Sequence, residues 1–453
     1  MSGTSSELDA ARIERRNVES LRENMQISSI FRAGNRTHAL LSDLENNKTI
    51  LSDLPPTLGE EFGALLRGSE TKLGIPLELE AGGKVEGYGV FEFQYGPVSS
   101  GVPEAGGFKL VTYGERVLKV VPQTNFKKRG VEQAALGKLP QDALLLIERS
   151  AGNFSASYST CFVTAVEGAL GLEVPSKARW TRAAAIELER IYNHLYVFGR
   201  LAEAASQNVA ATQTHALRER ILRSNSKYFG HRYLFGINTL GGVRYDLAKE
   251  ERTQLVSEIR TVAGEFSKLV EYFLSSRIFL DRLQGTAKLS RGDAIVFGSV
   301  GPAARGSGLQ WDDRLTYPIE PYEDIYVNLE TESGEDTMAR TMVRVKEIES
   351  STIALRELLD RMPGDGPGPR TSPKRSSQDN LPEDFAFCRI ESPSGDLIQV
   401  VQVDNRGRIS NLHIRPPSLV NWLPFAKSLQ GNVFTDFQFA YESFGLSFAD
   451  SDR

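Results

Sequence analysis

The stretch from residue 176 to about residue 206 constrains the fold of this 453-residue chain more than any other. Ile186, Leu188, Ile191, Leu195, Val197 and Leu201 recur along it at helical spacing, and Pro175-Ser176 is a helix start signal. Residues 212–228, 247–283 and 336–361 read as further long helices. Helices of this length are stabilised mainly by packing an apolar face against one another. The middle of the chain is therefore predicted to be a helical bundle.

The flanks have a different period. Residues 88–93 and 108–113 alternate like paired strands, and Gly114-Glu115 turns the chain into a third strand over 117–121. Strand patterns return at 385–390 and 397–403, followed by the turn Asp404-Asn405-Arg406-Gly407. The expected class is α+β, a bundle flanked by small antiparallel sheets from both ends of the chain. Residues 1–80 read as a small separate α/β segment. It holds a charged helix over 7–25, a hairpin or strand pair over 29–53, and a break at Asp53-Leu54-Pro55-Pro56. We find no chemistry in it. A Gly/Pro/Ser-rich stretch at about 362–381 reads as a flexible insert within the main domain, 85–453.

Two cysteines, Cys161 and Cys388, point to a reducing compartment and exclude an iron–sulfur cluster held by four cysteines of this chain. The five histidines show no metal-type spacing. A net charge of −5 gives no reason to expect nucleic-acid binding. The start of the chain lacks the pattern of a signal peptide, and the longest apolar run, Ala143-Leu144-Leu145-Leu146-Ile147, is far too short to cross a bilayer. No direct membrane span is expected, so any membrane association runs through a partner.

Several motifs occur in a fixed order. They are Tyr95-Gly96-Pro97-Val98, Arg129-Gly130-Val131-Glu132, the segment from Glu148-Arg149 through Glu167-Gly168, and the helix Leu188-Glu189-Arg190-Ile191-Tyr192-Asn193-His194-Leu195. After them come Gly301-Pro302-Ala303-Ala304-Arg305, Trp311-Asp312-Asp313-Arg314, Ile390-Glu391-Ser392-Pro393-Ser394-Gly395-Asp396, His413-Ile414-Arg415-Pro416-Pro417 and the terminal Asp452-Arg453. Over about residues 85–453 this set resembles the nickel–iron hydrogenase large-subunit/complex I quinone-site superfamily. It is most similar to large subunits of the hydrogenase-4 and formate hydrogenlyase type. No single motif carries the resemblance; their collinear order does.

The departures are as informative as the matches. A nickel–iron centre needs four thiolates, supplied in this family by two Cys-x-x-Cys pairs. By resemblance those positions fall here on Ala151 and Phe154, and on Ser447 and Asp450. No metal is therefore expected in this chain. Where the quinone-site relatives use a loop His, this chain has Ser99, and no Tyr stands near Pro140, where the family's Tyr would fall.

The resemblance places Arg129, Glu132, Arg149, Glu187, His194, Arg415 and Asp450 around the former metal cavity. Arg129 and Glu132, three apart, are spaced to pair, while Glu187 and His194 share a helix face. Asp450, if buried, needs a partner, and Arg129, Arg149 or Arg415 is the expected one. These residues read either as a titrating chain that passes protons or a conformational signal, or as bracing ion pairs inherited from a metal site.

Three functions follow from the resemblance. The first is a metal-free subunit of a membrane-associated, redox-driven ion-translocating complex. It would lie on the cytoplasmic face of the membrane, docked to a small subunit carrying the Fe-S cluster and to antiporter-like membrane subunits. The second is a quinone-binding subunit in NADH-quinone oxidoreductase (NAD-linked) chemistry. The third is a structural or regulatory protein with no redox role.

Overall fold

A computed structural model describes residues 85, 87–99, 101–364 and 384–453, together with the backbone of three N-terminal strands. Those strands, β1 (Met25–Ala33), β2 (Arg36–Asp43) and β3 (Lys48–Asp53), form an antiparallel meander, one strand more than the expected pair. The helix expected over 7–25 and most of the insert expected near 362–381 lie outside the described residues.

The second sheet, β4 (Val90–Tyr95), β5 (Gly107–Tyr113) and β6 (Arg116–Gln123), is the meander the alternation predicted. Next come α1 (Val131–Ala135), α2 (Pro140–Ile147) and α3 (Ser155–Leu170). The long helices are α4 (Ser176–Ala204), α5 (Asn208–Phe229), α6 (Lys249–Leu274) and, further on, α11 (Thr337–Arg361). Between α5 and α6 lies a two-residue ladder of β7 (Asn238–Thr239) with β8 (Gly242–Val243). The single helix expected over 247–283 is divided at Ser275 and Ser276, where α7 (Arg277–Leu283) begins. Three short helices, α8 (Arg291–Val296), α9 (Gly301–Arg305) and α10 (Asp313–Thr316), lead into α11. The side chain of Asp336 starts α11 by accepting from the Ala339 amide at 2.9 Å.

The last sheet has the order β11 (Ile409–Arg415), β10 (Gly395–Val403), β9 (Asp384–Ser392). The strand pattern found two of these three. Helices α12 (Pro417–Ser428), α13 (Phe437–Phe444) and α14 (Phe448–Ser451) complete the fold.

Helices α4, α5, α6 and α11 pack in a ring, α4 on α5 and α11, α6 on α5 and α11. Two of them show opposite ways of being buried. In α6 the buried residues Leu255, Ile259, Val262, Phe266, Leu269, Val270 and Phe273 form one apolar stripe, the mark of a helix with a wet outer face. In α4 almost every side chain from Trp180 to Ala202 is buried, Glu187, Glu189, Arg190 and His194 included. The other face of α4 is closed by α3 and by the β9–β10 hairpin, so its charges must find partners inside the protein.

Two glycines set how closely that hairpin approaches. Gly301 (φ 64°) and Gly395 (φ 132°) lie in the left-handed region and against each other. A Cβ on Gly301 would sit 2.3 Å from the Ser394 carbonyl oxygen, and one on Gly395 would sit 2.8 Å from the Gly301 nitrogen. Only glycine allows this contact. It brings Arg305, at the end of α9, onto the strand that carries Glu391.

Candidate functional site

Two polar regions account for the residues singled out in the sequence. The first is a seam that joins the C-terminal segment to residues 104–158. Arg129 is its centre. Its guanidinium donates to the carbonyls of Arg149 and Ser150 on one side and of Ala449 and Asp452 on the other. These are the backbones of the two segments that the resemblance identifies with the cysteine pairs, so the structure brings them together around one cation. Asp452 in turn accepts from the amides of Asn125 and Lys127. The expected Arg129–Glu132 pair does not form. Glu132 accepts from Arg453 Nε at 3.0 Å and from the Ile414 amide at 2.7 Å, because Gly130 turns the backbone between the two residues.

Asp450 is fully buried, but none of its three expected arginines pairs with it. It accepts from the Tyr158 hydroxyl and from the Ser418 amide at 3.1 Å. Burial pushes its pKa up, and these hydrogen bonds and the charge of Arg453 oppose the shift. Arg149 instead pairs with Glu148, stacks on Phe235 and is more than half exposed. Arg415 pairs with Asp396. Tyr158 lies within the Glu148–Gly168 segment of the resemblance, which gave it no role. Its only signal was a phenol in a stretch of small residues, Ser155-Ala156-Ser157-Tyr158-Ser159.

These side chains do not make a nickel–iron donor set. Ala151 and Phe154 are buried and offer a methyl and a ring. Ser447 Oγ donates to Glu104 at 2.9 Å and accepts from the Asp450 amide at 3.2 Å. Both oxygens of Asp450 are engaged as described. The two cysteines lie elsewhere, between α3 and β9, with Cys161 Sγ 3.3 Å from the Cys388 carbonyl. Burial raises the Cys161 thiol well above its usual pKa, with the Cys388 side chain adding to the shift, so it is not a ready thiolate.

The second region is a chain of buried charges through the bundle. Six carboxylates (Glu187, Asp312, Asp313, Glu347, Glu391, Asp396) meet five guanidiniums (Arg190, Arg305, Arg314, Arg389, Arg415), and a sixth, Arg344, joins through His194, all of them buried. Arg305 is the hub. It lies 2.7 Å from both Glu347 and Glu391 and 3.6 Å from Asp312. One branch runs from Asp312 to Arg314 (2.7 Å), on to Glu187 (3.2 Å), and ends at the Tyr322 hydroxyl (2.6 Å). Another runs from Glu347 to His194 Nε2 (2.7 Å), while Arg344 donates to His194 Nδ1 at 3.3 Å. A third passes from Asp313 through Arg389 to Asp396 and Arg415.

The partners of His194 fix its tautomer: Nε2 carries the hydrogen towards Glu347, and Nδ1 accepts from Arg344. Burial holds its pKa down at about 4, against the pull of Glu347. Burial alone would raise Glu347, but Arg305 and His194 hold it well below the usual carboxylate range. Glu187 and His194 do lie on the same helix, yet they join different branches, Glu187 to Arg314 and His194 to Glu347. Arg344 also reaches the Phe444 carbonyl at 2.9 Å, at the end of the helix that leads to Ser447. The two regions therefore touch through Arg344 and α13.

Of this chain of charges, the sequence motifs contained Arg305, the Asp312-Asp313-Arg314 triplet, Glu391 and Asp396 without roles, and missed Arg344, Glu347 and Arg389. A signal was present in α11. Arg340, Arg344 and Glu347 fall at i, i+4 and i+7, on the same face as Val343 and Ile348, where charges should not stand unless paired.

A core of bundled helices and a C-terminal hairpin that share internal charges defines the class, and comparison with known proteins supplies the family. The family model described as the respiratory-chain NADH dehydrogenase 49 Kd subunit matches residues 208–453, and that of nickel-dependent hydrogenases matches residues 129–217. The chain belongs to this joint complex I 49 Kd subunit and nickel–iron hydrogenase large-subunit family. It is 30% identical over 376 residues to the membrane-bound hydrogenase subunit alpha of Pyrococcus furiosus, covering 79% of this chain and 86% of that one. It is 27% identical to the formate hydrogenlyase subunit 5 of Escherichia coli, covering 79% of this chain but 62% of that subunit. It is also 27% identical to an NADH-quinone oxidoreductase subunit of a Roseiflexus species, covering 71% of this chain and 83% of that one. A solved structure of the membrane-bound sulfane sulfur reductase, an archaeal respiratory membrane complex, shares the fold. Its TM-score is 0.76 at 24% identity, over 82% of this chain and all of that one.

Proposed function

We propose that this chain is a metal-free subunit of a membrane-associated respiratory complex of the complex I and hydrogenase-4 kind. In that reading it couples electron transfer in a small Fe-S partner to ion movement in antiporter-like membrane subunits. The observation that carries it is a contrast within one protein. The positions of the thiolates hold a methyl, a ring, a hydroxyl and a hydrogen-bonded carboxyl, while a continuous buried ion chain occupies the bundle beside them. An inert scaffold gains little from such a chain, because apolar residues of similar volume are often at least as stabilising as a buried ion pair.

The relatives' names support the setting: a membrane-bound hydrogenase, a formate hydrogenlyase and an NADH-quinone oxidoreductase. No helix among the described residues is long and apolar enough to cross a membrane. In this reading the chain lies on the cytoplasmic face of the membrane, attached through partner subunits.

Purification of the native assembly, with identification of its subunits and metals, tests this reading. A small subunit bearing an Fe-S cluster, antiporter-like membrane subunits and no stoichiometric nickel are expected. Nickel in stoichiometric amount refutes the metal-free reading. Quinone-dependent activity without antiporter-like subunits favours the quinone-binding alternative, and isolation without redox partners favours a structural role.

A further inference from the structure

The carboxylates of the ion chain are not equally compensated, and the inequality is geometric. Asp312 faces Arg314 at 2.7 Å and 2.9 Å and accepts from the Arg314 amide. Glu347 shares Arg305 but also receives His194 Nε2. Asp396 lies between Arg389 and Arg415. Asp313 has Arg389 and the Trp311 indole N–H. Among the described residues Glu391 makes a direct ion pair with one guanidinium, that of Arg305, which it shares with two other acids. Its Oε1 accepts from Arg305 at 2.7 Å, and its Oε2 receives only the Asp313 amide, at a long 3.3 Å.

We propose that Glu391 is a proton-binding site of this chain, its carboxyl protonated on Oε2 in the folded protein at neutral pH. The groups facing it are Arg305 from α9, Asp312 and Asp313 from the head of α10, Arg190 from α4, and Arg389 on its own strand. Two buried carboxylates acting on a third leave one proton favoured somewhere among them. Oε2 of Glu391 is the oxygen with the weakest existing bond. Burial pushes the Glu391 pKa up to about 8, against Arg305, with Asp312 and Asp313 adding to the rise. Deprotonation would leave Arg305 between two full negative charges, Glu347 and Glu391, and shift its pull along the branch to His194. The coupling of that shift to electron transfer rests on the function proposed above; the proton itself does not.

Infrared spectroscopy of the purified full-length chain tests it, whatever assembly the chain belongs to. We expect a protonated-carboxyl band, sensitive to exchange into D2O, that is lost as pH rises through about 8. Buried Glu189 and Glu442, pushed up to about 7, add bands lost at lower pH; the component that persists to about pH 8 should be absent in Glu391→Gln and retained in Asp313→Asn. Its survival in Glu391→Gln, or its loss in Asp313→Asn instead, overturns the assignment. Glu391→Asp guards against a Gln variant that fails to fold: it should move the band and its midpoint, and an unmoved spectrum overturns the proposal. Thermal unfolding adds a second readout. The folded pKa lies above the ordinary carboxyl value of 4.5, so the stability gained by binding this proton is complete at low pH. It declines towards about pH 8 and is lost above it. The Tm of the wild-type chain should therefore fall through this range more steeply than that of Glu391→Gln, and parallel curves count against the proposal.

Discussion

The Arg129 seam and the Arg305 ion chain are both built on guanidiniums, but they use them differently. Arg129 is partly exposed and donates to four backbone carbonyls, none of which carries a net charge. Arg305 is completely buried and is surrounded by three carboxylates. In the seam a lost bond costs about what one hydrogen bond contributes, because water can reach the freed carbonyls. In the chain, removal of one charge strands others where no water can replace it. The seam can thus be reshaped in small steps, whereas the chain must be kept whole or dismantled together.

The sharpest way to break this comparison is Arg305→Met. It leaves Glu347, Glu391 and Asp312 without their shared cation, and loss of one partner from a buried pair costs about 3–5 kcal/mol. We expect little soluble protein and a large drop in the urea midpoint; a variant with near wild-type stability would remove the distinction between the regions.

A pH series gives the next effect. His194 titrates at about 4 in the folded chain against 6.5 for the free side chain, so the folded state binds its proton less readily. Its contribution is complete above about pH 6.5 and is lost as pH falls towards 4, at roughly 1.4 kcal/mol per unit of separation. His413, held down at about 4 by burial, adds a slope of the same sign. His194→Gln should flatten the acid limb of the unfolding curve without abolishing it.

Arg129→Gln removes the four guanidinium bonds at the centre of the seam and should cost about 1–3 kcal/mol. Hydrogen exchange locates the effect: amides at 446–453 should exchange faster while those at 305–315 do not. Faster exchange in both segments would mean that the two regions unfold as one.

The smallest effect is expected from Asp450→Asn, whose Oδ1 can still accept from the Ser418 amide while its Nδ2 donates to the Tyr158 hydroxyl oxygen in place of the bond now accepted from it. Its cost should be about 1 kcal/mol or less in thermal unfolding. A severe loss would show that Asp450 works as a charge, the role the sequence suggested for it.

The sequence by itself determined the local elements and their family. Helical spacing marked α4, α5 and α11 to within a few residues at each end, alternation marked β4 to β6 and the β9–β10 hairpin, and the ordered motifs identified the relatives. These signals are legible because each depends on neighbours three or four residues apart, or on alternate residues. The break between α6 and α7 escaped because Ser275 and Ser276 are only mild breakers in a pattern that stays periodic across them.

Pairing was decided by the tertiary structure alone. Asp450 and Tyr158 are 292 residues apart, Arg305 and Glu391 are 86 apart, and nothing local distinguishes Arg305 from an arginine in water. Which carboxylate a buried guanidinium meets depends on how closely two backbones approach. Here that distance was set by the absence of a side chain at Gly301 and Gly395, where α9 rests against the β9–β10 turn.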